Sequence, residues 1–461
     1  MRVYENLRTV VLTLLIGISL VLTGSLWFDN YHGLSSVMSN MISFFSEEID
    51  LEDKRYIKEY IKPYKTIIAN GDNGKWIYYV SSKASEDAFS LIKNIILDTD
   101  KITIEKAYEN EWEELTNRKS IICEFADSID HKIFSLALNN KFNDFAAEPV
   151  GIFALALTKT TTGGNLYINS SESIYRIAVD DIGEFDHILS NYSNSQTYAK
   201  FVKLEEIGIT QFNTRKIKYK YDVLFPLSAK SSNRHKISKL ISTNLVDNAE
   251  KIEEKVEKIF NKNNYIKFIT DDNGYIYIND DQSLIKFHDG LIEYSAEKVN
   301  NIDNESTWIA AFNTALRFID SISELKNLYL VSAEKNDNLY KFAFGTHVAE
   351  IPVIDSDKSV GDNRNAKIYI EVYNNSVVNY TENLTSYSEG YLAETYLSRF
   401  THNILDDVLE EVPKKAEIKI QDIELAYDVA TNVNLPVWIT EYTYKDKTNT
   451  IITEAGKIRN Y

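Results

Sequence analysis

Apolar residues are spaced along this chain in three ways, and each spacing predicts a different kind of element. The first is a continuous run. Thr9–Phe28 has no charged residue over twenty positions, and twelve of them are Leu, Ile, Val or Phe. A bilayer core about 30 Å thick takes about 20 apolar residues of helix, so this run predicts a transmembrane helix. It is longer than the apolar core of a cleavable leader, and no A-x-A follows it, so it is expected to be retained. Trp27 and Phe28 close the run with rings that favour the membrane–water interface.

The second spacing is helical. Leu34, Val37, Met38, Met41, Ile42, Phe45 and Ile49 share one face and predict an amphipathic helix just after the run. Ala88, Leu91, Ile92, Ile95 and Ile96 do the same within "ASEDAFSLIKNIILD". "HKIFSLALN", "EWEELTN" and "TWIAAFNTALRFIDSI" also read as helices. Residues 235–263, "HKISKLISTNLVDNAEKIEEKVEKIFNKN", and 392–412, "LAETYLSRFTHNILDDVLEEV", are each expected to form one long helix.

The third spacing is alternation, which predicts half-buried strands. Hairpins are expected around "GDNG" at Gly71–Gly74, at Asn273-Gly274 and at Asp289-Gly290. In "RKIKYKYDVLF", Ile217, Tyr219 and Tyr221 alternate with Lys216, Lys218 and Lys220, giving a strand with a basic solvent face. A helix followed by meandering antiparallel strands occurs three times. Each sheet can bury one face under its helix. The expected fold class is therefore α+β: one N-terminal transmembrane helix, then several two-layer domains of antiparallel sheet and helix. The expected limits are a tail at 1–8, the membrane helix at 9–28 and a juxtamembrane amphipathic helix and linker at 29–62. Three α+β domains follow, at 63–198, 199–300 and 301–461.

Charge orients this plan. Arg2 and Arg8 precede the membrane helix, and no Lys or Arg occurs from Asp29 to Glu48. The positive-inside rule puts residues 1–8 in the cytoplasm and the bulk of the chain outside a cell membrane crossed once. The 461 residues carry a net charge of -18, a poor match to the phosphates of nucleic acid. Cys123 is the only cysteine, so the fold holds no internal disulfide. Its setting, "SIICEF", reads as a buried thiol.

Catalytic signatures are missing. There is no GxGxxG, GxxxxGK[ST], GxSxG or HExxH, and no histidine lies three to five residues from another. The acidic loop from Asp355, "DSDKSVGDNRN", fails as a calcium loop, with Val360 at the sixth position and Ala366 at the twelfth. No catalytic residue, metal site or cofactor is expected. One binding face is suggested inside the membrane. Thr13, Gly17 and Gly24 share a side of the helix, and small residues there let two helices approach closely. A different reading is an anchored module that binds wall polymer or a small ligand through "TRKIKYKY" and "NRHKISK".

The stretch "ENLRTVVLTLLIGISLVLTGSLWF" resembles the amino terminus of the YycH regulatory proteins. So do the Pro before the first strand in "IKPYKTIIAN" and the segment "NEWEELTNRKSIICEFADSIDHKIFSLAL". "SLIKFHDGLIEYSA" resembles a hairpin shared with the sister family YycI, and "IELAYDVATNVNLPVWITEYTY" resembles a segment of YycI-like domains. The resemblance implies a non-enzymatic, membrane-anchored extracytoplasmic regulator of a two-component system controlling cell-wall homeostasis. Its implied partners are a sensor histidine kinase of the WalK (YycG) type and a YycI-like protein. It also implies a YycI-like C-terminal domain and a membrane helix that contacts the kinase.

Overall fold

The computed structural model describes residues 53–71, 74–98, 104–138, 151–193, 200–203, 206, 211–212, 215–219, 223–227, 236–244, 249–260, 265–270, 274–279, 283–288, 290–298, 307–357, 360–361, 363–397, 401–431 and 434–458. The run Thr9–Phe28, its face of Thr13, Gly17 and Gly24, and the amphipathic stretch after it lie outside the described residues. Among the described residues, no helix is long and apolar enough to cross a membrane. Residues 56–461 form one compact unit of mixed helix and strand, as the α+β expectation requires.

The first sheet is built by short hairpins. Lys65–Asn70 pairs antiparallel with Lys75–Tyr79 on one side and with Lys119–Asp130 on the other. Gly151–Lys159, Gly164–Ser170, Ile174–Val179 and Ile104–Ala107 extend it in that order. Alternation splits the side chains between two cores. Ile68, Trp76, Ile121 and Cys123 pack with Ala88, Ile92 and Ile95 of the helix Lys83–Asp98. Ile67, Ile77 and Ile122 point to the opposite face and join a core that contains Ile404, Val408 and Trp438.

A second antiparallel run passes through Tyr265–Thr270, Gly274–Asn279, Ser283–His288 and Leu291–Ala296. Ser376–Asn383, Ile368–Tyr373, Leu339–Val348 and Leu328–Asn336 continue it. The helix Trp308–Ile322 lies on this sheet. Its N-terminus is capped by Thr307, whose side chain accepts from Ala310 N. Trp308, Phe312, Leu316, Ile319 and Ile322 recur at three- and four-residue steps and are all buried. Each such side chain contributes roughly 1.5–3 kcal/mol. Several hairpins close with two residues at positive φ: Asn374-Asn375, Ala349-Glu350 and Lys445-Asp446. That geometry matches the right-handed twist of the flanking strands. Only the first of these turns uses a residue type that announces it.

Pairing crosses the boundaries expected at 198/199 and 300/301. Lys200–Val202 pairs with Lys75 and Trp76 of the first sheet. Arg215–Tyr219 runs parallel to Glu417–Asp428, which also pairs with Val437–Tyr444. Ala333 and Ile129 form a parallel bridge that joins the two antiparallel runs into one sheet.

Two expected helices are corrected. Residues 235–263 are not one helix but a strand, Lys236–Asn244, followed by a helix, Ala249–Ile259. Residues 392–412 likewise begin as strand within Thr385–Leu397, and the helix is Thr401–Glu410. The two strands pair with each other, Leu240 opposite Glu389. Ile237, Ile241 and Thr243 are β-branched, and their spacing fits either element. The long-range partner decided for strand. The helix Phe185–Tyr192 also went unforeseen.

Candidate functional site

The first described element is the helix Asp53–Tyr60, and a network of polar side chains surrounds the residues of the junction that follows it. Ile57, Tyr60, Ile61 and Tyr64 follow at helical spacing. Ile57 and Ile61 are fully buried in the main core. Pro63 stops the helix, because it lacks a donor and disfavours helical backbone before it. Tyr60 stands edge-on to Phe312, with ring centroids 6.4 Å apart, and to Phe344 at 5.7 Å. Tyr64 packs 6.1 Å from the Tyr329 ring. A segment next to the first strand is thus held by residues some 250 to 285 positions away in sequence.

Charged groups reinforce the junction. The Tyr64 hydroxyl donates to Glu424 Oε2 at 2.7 Å. Arg364 Nη2 donates to Glu424 Oε1 at 2.6 Å, and its Nη1 lies 2.7 Å from Glu441 Oε1. Lys65 Nζ reaches Glu124 at 2.8 Å and Asp422 at 3.7 Å. Leu425 N donates to the Tyr79 hydroxyl. Burial raises the Glu424 carboxyl above its ordinary value, against the pull of Arg364. Burial would lower the Arg364 guanidinium, but Glu424 and Glu441 outweigh it and hold it above its ordinary value. Tyr64 is driven well up by burial and by Glu424.

Arg364 is delivered by the loop that follows the strand Ile351–Ile354. Ser356 donates from its N and its Oγ to the fully buried Asp428, at 3.1 and 2.7 Å. Asn363 Nδ2 reaches Asp127 Oδ2 at 3.2 Å. Gly361 turns at φ +61 with the Tyr369 ring against it, so close that an added Cβ would meet a ring carbon at 2.3 Å. The loop singled out for its acidity is therefore a clasp. It ties the first sheet, at Asp127, to the C-terminal strands, at Glu424, Asp428 and Glu441. The Glu424 carboxylate is already engaged by Tyr64 and Arg364, so the arrangement fixes positions and offers no base to a substrate. Among the described residues, no three His, Cys, Asp or Glu side chains gather as a metal set.

In the basic stretch the strand is Arg215–Tyr219, with Ile217 buried and Lys216 and Lys218 exposed, while Lys220 and Tyr221 lie outside the described residues. Lys218 Nζ, however, lies 2.6 Å from Glu417 Oε1 on the parallel neighbour, which neutralises part of that face. Cys123 is fully buried, and burial pushes its thiol up to about 12. Sequence reasoning missed Tyr64, Arg364 and Glu424. Glu424 alternates with Ile423 and Leu425 as any solvent-facing residue of a strand would, so nothing local marks it.

The chain is similar to known proteins. Residues 5–191 match the family model of the YycH protein N-terminal domain. The crystal structure of YycH from Bacillus subtilis aligns with 86% of this chain and 96% of its own, at 14% identity and a TM-score of 0.50. The C-terminal domain of YpeB from Bacillus megaterium aligns over 46% of this chain and 98% of its own, at 13% identity and a TM-score of 0.21. No curated protein matches the sequence.

Proposed function

Because the chain belongs to the YycH family, we propose that it is a non-enzymatic, membrane-anchored regulator of a sensor histidine kinase of the WalK (YycG) type. On this reading, Thr9–Phe28 crosses the membrane once and residues 29–461 lie outside the cell. A YycI-like protein is a second partner, and the last third of the chain is a YycI-like domain. The family match carries the proposal, since it begins at residue 5 and so takes in the uncharged run together with the first outer sheet.

The junction supports it physically. A regulator that works through a membrane helix needs its outer body coupled to the chain that leaves the membrane. Ile57, Tyr60, Ile61 and Tyr64 lock that chain into the core. The wall-polymer reading is less favoured, because Glu417 already occupies Lys218.

The face of Thr13, Gly17 and Gly24 is the proposed contact with the kinase's membrane helices. Gly17→Leu with Gly24→Leu fills that face and keeps the segment apolar. Kinase-dependent reporter output and co-purification of the kinase should both fall, at unchanged protein level. A double variant that regulates and co-purifies like the parent would sink the proposed contact.

A further inference from the structure

A concavity lies between two helices packed on the first sheet. The helix Lys83–Asp98 presents Asp87, Ser90, Leu91, Asn94, Ile95 and Asp98 to it, at steps of three, four and seven. Along an α-helix such positions form one straight stripe, here about 16 Å long. Opposite stands the helix Phe185–Tyr192 with the residue before it. Glu184, His187, Ile188, Asn191 and Tyr192 form its own stripe at the same steps. The end of the strand Ile174–Val179 closes the groove, which has a volume of about 830 Å³.

The chemistry of this groove is one-sided. Asp87, Asp98, Asp180, Asp181 and Glu184 line it, and no Lys or Arg does. Asp87 is partly answered by Lys83 at 2.6 Å and, from the opposite wall of the groove, by the Tyr192 hydroxyl at 2.7 Å. Lys93 turns the other way, over the Phe89 ring. Leu91, Ile95 and Ile188 make the floor and are almost wholly buried, so little apolar surface is on offer. Recognition here must come mainly from charge and shape. A straight trough walled by two helices accepts a third helix, whose side chains three and four apart can set cations along both rims.

We infer that this groove is the docking site for the lysine- or arginine-bearing face of a helix from a partner protein. The inference does not depend on the kinase reading, since it concerns an outer surface and a partner defined only by charge. Opposite charge across such a contact raises the association rate and selects the partner, and it weakens as salt screens it.

A protein of net charge -18 attracts cations everywhere, so the test must separate the groove from bulk acidity. The probe is a fluorescent helical peptide with lysines on one face, titrated into the full chain held in nanodiscs of uncharged lipid. A peptide of the same composition with its lysines dispersed around the helix is the control. Asp180→Asn, Asp181→Asn and Glu184→Gln together should weaken one-face binding about tenfold or more and flatten its salt dependence. Asp337→Asn, Asp446→Asn and Glu454→Gln remove the same charge from exposed positions elsewhere and should leave binding within about twofold of the parent. Equal losses in the two triple variants, equal binding of the two peptides, or no loss in the groove variant would each overturn the inference. Thermal melts of both variants check that the fold is kept. If the groove variant melts early, photo-crosslinking of the peptide to the parent decides. Adducts on Asn94 or Asn191 support the groove, and adducts spread over the surface refute it.

Discussion

Tyr60 meets Phe344 edge-on, ring centroids 5.7 Å apart and planes inclined at 81°. One ring belongs to the helix that leads into the body, the other to the middle of a strand 284 residues later. Edge-to-face pairs of this kind are worth ~0.5–1.5 kcal/mol beyond the area they bury. The full chain with Tyr60→Ala, with Phe344→Ala and with both should therefore show a coupling of about 1 kcal/mol in equilibrium urea unfolding. Additive single effects would mean that the rings touch without holding each other.

Arg364 is the hub of the clasp, and its removal leaves Glu424 charged in the interior. Losing one partner of a fully buried pair costs roughly 3–5 kcal/mol, and Arg364 retains some exposure, so Arg364→Met should cost ~2–4 kcal/mol. Adding Glu424→Gln should recover part of that loss. A double variant less stable than Arg364→Met would contradict the assignment of Glu424 as the stranded charge.

His347 gives a pH dependence with a definite sign. Burial, aided by Lys62, lowers its pKa from 6.5 to about 4. Between those values the unfolded chain binds the proton and the folded chain does not. Its contribution is intact above pH 6.5 and is lost as the pH falls toward 4, by about 3 kcal/mol in all. His347→Gln should flatten the stability profile in that window and leave it unaltered above pH 7. An unchanged slope between pH 4 and 6.5 would show that His347 is not held neutral.

Topology has a direct chemical readout. The native thiol of Cys123 is fully buried and held in its protonated form, so an impermeant maleimide should not label the parent in intact cells. Glu172 sits exposed on the first sheet, and Glu172→Cys should be labelled if the body is outside. Labelling only after lysis would reverse the proposed orientation.

Much of this protein is decided by local pattern. The helix Trp308–Ile322 was legible because seven buried side chains fall on one face. The hairpins at Gly71–Gly74 and Asp289-Gly290 were legible because few residues other than glycine tolerate their backbone angles. Burial of Cys123 could be read from the apolar run around it. These features depend on residues within one or two turns of each other. What only the tertiary structure decided depends on partners far apart. Residues 236–244 and 392–397 carry helical spacing, yet they form strands because distant strands supply their partners: 239–244 pair with 385–390, and 395–397 with Gly456–Ile458. Glu424 has the alternation of a surface residue, but Tyr64 from 360 positions earlier and Arg364 from 60 positions earlier close over it. The loop from Asp355 reads as solvated acid, and Ser356, Asn363 and Arg364 turn it into a clasp only when Asp127 arrives from one strand and Glu424 and Asp428 from another. A single sequence records which residues can bury or bend. It does not record which distant group will be there to meet a buried charge, and here that meeting made the junction.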